Sequence, residues 1–66
     1  MSFTEIRKGR QLTQQNLAKR LGVGQSTVAM WENGKSVPSM KNLLKLSNIL
    51  EVSVSDLCAS FKKNSA

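Results

Sequence analysis

The stretch Gln14 to Gly34, QQNLAKRLGVGQSTVAMWENG, constrains this chain more than any other, because it holds two short helical patterns separated by Gly22-Val23-Gly24. The first pattern keeps Leu17, Ala18 and Leu21 on one face, and the second turns Val28 and Trp31 inward at i, i+3 spacing. Gly22 closes the first helix in a left-handed conformation, Val23 drops back to the core, and Gly24 lets the second helix leave at a steep angle. The remainder of the chain is read as the scaffold for this pair. The second helix is left with Gln25, Ser26, Thr27, Ala29 and Met30 on its outer side, and none of them is charged.

Two helices joined in this way form a helix-turn-helix unit. A short, uncharged, partly hydrogen-bonding surface on its second helix suits base edges in a major groove. Upstream, Ser2 and Glu5 make a capping box for a first helix from about Phe3 to Arg10, with Phe3 and Ile6 inward and Lys8 and Arg10 solvated. Gly9 lies inside that helix at a cost of about 1 kcal/mol relative to alanine, with no reason visible in the sequence. Gln11 falls where the helix must stop, Leu12 returns to the core, and Thr13 caps the second helix. Downstream, Gly34 ends the third helix, Lys35-Ser36-Val37-Pro38 is a loop, and Ser39 caps a fourth helix. Met40, Leu43, Leu44, Leu46, Ile49 and Leu50 give that helix a wide apolar stripe, which makes it the spine of the core. Glu51 is an awkward terminator where Gly or Asn would be easier. Ser53 and Asp56 then cap a fifth helix carrying Val54, Leu57, Cys58 and Phe61. The expected fold is all-α, with no strand pattern.

A chain of 66 residues makes one small domain. Residues 1–61 are assigned to it, and 62–66 read as a basic polar tail. Its apolar residues are needed for folding and leave little for a substrate pocket. Ten Lys and Arg against four Asp and Glu give a net charge of +6, the footprint of a polyanion partner. There is no histidine and one cysteine, Cys58, so no disulfide within the chain and no metal cluster of familiar spacing is expected. No cofactor is expected either. With no nucleophile and base to pair, an enzyme is not expected. The absence of a signal-peptide pattern and of any run long enough to span a membrane points to the cytoplasm, bacterial or of a phage-infected host.

From Phe3 to Leu57 the chain resembles the Cro/CI-type helix-turn-helix domain of lambdoid phage repressors and the xenobiotic-response-element regulators. The resemblance rests on Leu12-Thr13-Gln14, Leu17-Ala18, Leu21-Gly22-Val23, Trp31-Glu32-Asn33-Gly34-Lys35, Pro38-Ser39 and Leu43-Leu44-Lys45-Leu46, each weak alone and specific together. It implies a five-helix, lambda-repressor-like fold, binding to double-stranded DNA, and action as a homodimer on a pseudo-palindromic operator. By the same resemblance Gln25, Ser26, Thr27 and Met30 reach bases, and Gln14 touches a phosphate while bracing the recognition helix. Asn33 and Lys35 lie along the phosphates, joined in the expected backbone set by Thr13, Ser36 and Lys41. Arg7 and Glu32 stand where the family carries an internal ion pair. Two departures stand out: Gly24 replaces the usual capping Ser or Thr, and Ala29 with Met30 makes the lower reading face apolar, which favours thymine methyl groups over guanine.

Each of these residues also has a plainer reading. Gln25, Ser26, Thr27 and Met30 are ordinary surface residues unless the motif places them on DNA. Lys19, Arg20, Lys35 and Lys41 form a solvated cationic face, from which Lys35 is favoured as a phosphate contact. Trp31 is expected in the core and not stacked on a base, and Cys58 is read as a small buried hydrophobe. Arg7 and Glu32 are separate surface charges if they do not pair. Val52, Val54, Leu57 and Phe61 either complete the core or leave apolar surface for a two-fold partner. The expected function is sequence-specific regulation of transcription by a phage or prophage Cro-like protein or repressor. The rival is a protein-interaction module, an antitoxin or antirepressor, built on the same fold. The length accommodates a Cro-type protein, a restriction-modification controller or a domain excised from a longer repressor.

Overall fold

A computed structural model describes residues 2–61; the tail read at 62–66 lies outside the described residues. The described chain holds five helices, α1 (Phe3–Gly9), α2 (Gln14–Leu21), α3 (Gln25–Glu32), α4 (Met40–Leu50) and α5 (Val54–Phe61). Four of the five starts obey a local side-chain signal. Ser2 and Glu5 bond reciprocally at α1, Thr13 accepts from the Asn16 N–H at α2, Ser39 from Asn42 at α4, and Ser53 from Asp56 at α5. α3 alone starts at a glycine, Gly24, with no side-chain cap.

The first four helices end alike. In each, one residue takes a left-handed conformation: Gln11 (φ 58°), Gly22 (φ 79°), Gly34 (φ 77°) and Glu51 (φ 57°). The next residue's N–H then bonds a carbonyl five positions back, Leu12 to Arg7, Val23 to Ala18, Lys35 to Met30 and Val52 to Ser47, as in a Schellman motif. Glycine relieves this turn at two of the four positions. At Gln11 and Glu51 a side chain stays in a conformation that costs roughly 1–2 kcal/mol.

The core gathers Phe3, Ile6, Leu17, Ala18, Leu21, Val28, Trp31, Leu43, Leu46, Leu50 and Leu57. Trp31 is 5% exposed, and Phe3 meets it edge to face with centroids 6.3 Å apart while also lying 4.8 Å from Phe61, so the aromatics tie α1, α3 and α5 together.

Three expectations from the sequence are corrected. The apolar stripe of α4 is narrower than its periodicity suggests: Leu43, Leu46 and Leu50 are buried, whereas Met40 and Leu44 are 61% and 54% exposed. Five short helices offer that face no further neighbour. Cys58 is exposed, because α5 spends its buried position on Leu57. Arg10 keeps an exposed side chain but is not simply solvated: its Nε donates to the Leu50 carbonyl at 2.9 Å, satisfying an acceptor at the end of α4. No described helix is long and apolar enough to cross a membrane.

Candidate nucleic-acid interface

α3 buries Val28 completely and Trp31 almost so. That fixes its rotation and leaves Gln25, Ser26 and Met30 exposed with Thr27 and Ala29 half-buried beside them. The five residues expected to read bases therefore share one outer side of one helix. Its only charged residue is Glu32, and that side chain faces inward, 8% exposed.

Glu32 is the centre of a hydrogen-bond relay through three helices. Arg7 Nε donates to Glu32 Oε2 at 2.6 Å and Arg7 Nη2 to Oε1 at 3.4 Å, while Arg7 Nη1 donates to the Leu12 carbonyl at 2.6 Å. The ion pair implied by the resemblance is thus present, with Arg7 itself 7% exposed. On the far side, Gln14 Nε2 donates to Glu32 Oε1 at 2.9 Å, and Gln14 Oε1 accepts from Gln25 Nε2 at 2.8 Å. Burial by itself pushes the Glu32 carboxyl up. Hydrogen bonds from Arg7, Gln14 and Thr4, together with the Arg7 charge, overcome that and hold it below the usual glutamate value.

An ionised carboxylate only accepts, and this decides the orientation of both amides. Gln14 must turn its NH2 toward Glu32, so its oxygen is left facing Gln25. Gln25 must then turn its own nitrogen inward. One N–H and the carbonyl oxygen of Gln25 remain free at the outer surface, in fixed order. Gln14 is thereby hydrogen-bonded to the first residue of α3. Nothing in the sequence pattern marked the additional bond from Arg7 to the Leu12 carbonyl.

The expected backbone contacts flank this surface. Asn33 and Lys35 are exposed in the turn after α3, Ser36 is half-buried, Lys41 is exposed in the first turn of α4, and Thr13 is exposed with its oxygen engaged as the α2 cap. Lys35 occupies an unusual place. In the turns after α1, α2 and α4 the equivalent residues are Leu12, Val23 and Val52, each packed on the core. After α3 that position carries an exposed lysine, which gives up the hydrophobic contact that commonly accompanies this motif.

The residues proposed for a dimer surface divide. Leu57 is fully enclosed by its own chain and offers nothing to a partner, whereas Val52, Val54 and Phe61 are half-buried at the edge of the core.

Residues 4–57 match a family described as helix-turn-helix. The HTH-type transcriptional activator BcrR of Enterococcus faecalis is 36% identical over 61 residues, covering 86% of this chain and 30% of its own length. The cryptic phage CTXphi transcriptional repressor RstR of Vibrio cholerae is 35% identical over 52 residues, 79% of this chain and 46% of the repressor. The HTH-type transcriptional regulator DicA of Escherichia coli is 45% identical over 47 residues, 71% of this chain and 35% of DicA. The chain spans less than half the length of each of these relatives.

Proposed function

The chain belongs to the Cro/CI-type helix-turn-helix family of transcriptional regulators, and from that premise we propose that it is a sequence-specific repressor of the phage or prophage kind that binds duplex DNA with α3 in the major groove. The observation that carries the reading is the uncharged outer side of α3, held in place by Val28 and Trp31 below and by the Arg7–Glu32–Gln14–Gln25 relay at its start. Gln25 reads adenine: its free N–H pairs with N7 and its free oxygen accepts from the 6-amino group. Ala29 and Met30 meet thymine methyl groups, and Ser26 and Thr27 complete the set. Lys35, Asn33, Gln14, Thr13, Ser36 and Lys41 lie along the phosphates, with the net charge of +6 supplying the attraction.

One domain of 33 × 22 × 21 Å covers one half-site, so the operator is pseudo-palindromic and two copies bind it with recognition helices about 34 Å apart. Val52, Val54 and Phe61 supply the surface through which the copies meet. Occupying the operator excludes polymerase. Selection from a random duplex library, followed by titration of the winner and of scrambled DNA at two salt concentrations, tests the reading. A pseudo-palindrome preferred by about a thousandfold or more is expected. Weak, salt-sensitive binding with no enriched site would instead favour a protein-interaction module, for which the exposed Val37, Met40 and Leu44 are the available apolar surface.

A further inference from the structure

We propose that Glu32, which lies beneath the reading surface, sets the base preference of Gln25 through Gln14. The inference rests on the assignment of Gln25 as a base reader. Glu32 is a positioning residue: what passes along the relay is the order of donor and acceptor. An acceptor at 32 demands the nitrogen of Gln14, which presents its oxygen to Gln25, which turns its own nitrogen inward and its oxygen toward the groove. Every link is a single hydrogen bond of 2.8–2.9 Å, so reversing the first reverses the last.

In Glu32→Gln the new amide keeps its oxygen on Arg7, the shorter of the two contacts at 2.6 Å. Its nitrogen then takes the place of Oε1 and points a donor at Gln14. Gln14 turns over to accept it, and Gln25 turns over in response. The reading edge now carries its acceptor inward and its donor outward, and in an unchanged pose the 6-amino group of adenine meets an N–H.

The test is duplex selection with wild type, Glu32→Gln, Gln14→Lys and the double variant Glu32→Gln/Gln14→Glu, scored as the ratio between bases at each operator position. Scoring by ratio cancels any uniform loss of affinity, which is all that a merely structural defect would cause. Wild type is expected to prefer adenine at one position of each half-site. Glu32→Gln should lower that preference roughly tenfold or more, in the range of a single bidentate contact, while the other positions keep their ranking. The double variant should restore adenine, because a carboxylate at 14 again accepts from Gln25. Gln14→Lys leaves Glu32 its charge and its arginine, so it carries the test should Glu32→Gln fail to fold. Its ammonium only donates, so it should also abolish the adenine preference. Retention of the wild-type preference in Glu32→Gln or Gln14→Lys, or no restoration in the double variant, overturns the inference and leaves DNA reading by α3 intact. If wild type itself selects no sequence, the DNA-binding reading fails first and this inference falls with it.

Discussion

Removing one member of the Arg7–Glu32 pair should cost far more than removing both. The two side chains are 9% and 8% exposed, so neither can regain water without parting α1 from α3. In Arg7→Met the Glu32 carboxylate keeps Gln14 but loses its charge partner, and the Leu12 carbonyl loses a donor. Breaking a buried pair from one side costs roughly 3–5 kcal/mol. Set against a total stability of about 3–10 kcal/mol for a domain this size, that is enough to leave much of the population unfolded. Glu32→Leu should cost a similar amount. In Arg7→Met/Glu32→Leu two hydrocarbon side chains fill the same space, and most of the lost stability should return, short of wild type by the Leu12 carbonyl and the Gln14 amide that stay without Arg7 and Glu32. The double-mutant cycle should therefore give a coupling of several kcal/mol. Urea unfolding followed by the emission of Trp31, the sole tryptophan, measures all four proteins. Acid provides a second reading of the same contact. A carboxyl held below its unfolded value contributes fully above that value, and the contribution is lost as pH falls through the folded one. Wild type should lose stability below about pH 4.3, the ordinary glutamate value, and the double variant should lack that part of the loss. Single variants within about 0.5 kcal/mol of wild type, or additive effects, would refute the reasoning.

Backbone geometry and the proposed DNA surface yield further expectations. Glu51→Gly and Gln11→Gly should each stabilise the fold by up to about 1 kcal/mol in urea titrations, by relieving a left-handed side-chain conformation; Glu51 gives up only an exposed 3.5 Å contact with Arg10. Gly9→Ala should add about 0.5–1 kcal/mol, since a Cβ there meets nothing within 4 Å. Lys35→Ala should weaken operator and scrambled DNA equally and lower the salt slope by about one, whereas Gln25→Ala should cost about 1–3 kcal/mol on the operator and little elsewhere. A site-dependent loss for Lys35, or a uniform one for Gln25, would contradict those roles.

The helix starts were legible because their signals are local: Ser2 with Glu5, Thr13, Ser39 and Ser53 each bond an N–H three residues on. The stops at Gly22 and Gly34 were legible for the same reason, and Glu51 was recognisable as awkward because its turn needs a conformation that side chains avoid. What required the folded chain was any choice between residues of like chemistry. Periodicity marks Met40 and Leu44 as apolar but cannot tell that α4 runs out of neighbours on that side. The bond from Arg10 to Leu50 spans 40 positions and leaves no pattern in either segment. At the site, α3 and its outer residues followed from Val28 and Trp31, but the direction of the Gln25 amide did not, because it depends on a carboxylate two links away.

In the proposed DNA complex, attraction and reading are carried by different parts of this surface. α3 brings no cation, and its one charge is neutralised beneath it by Arg7. The exposed cations nearest to it in sequence are Lys19 and Arg20 before the turn and Lys35 after it, none on the helix itself. Lys35 stands where three sister turns place a core-packing Leu or Val, so a contact that would have served stability is given over to charge. Because counterions are released by phosphates neutralised and not by bases read, substitutions on α3 should change the ranking of sequences at constant salt slope. Those at the flanking lysines should change the slope at constant ranking. The Glu32 relay belongs with the first group although it carries a charge, since that charge never leaves the protein.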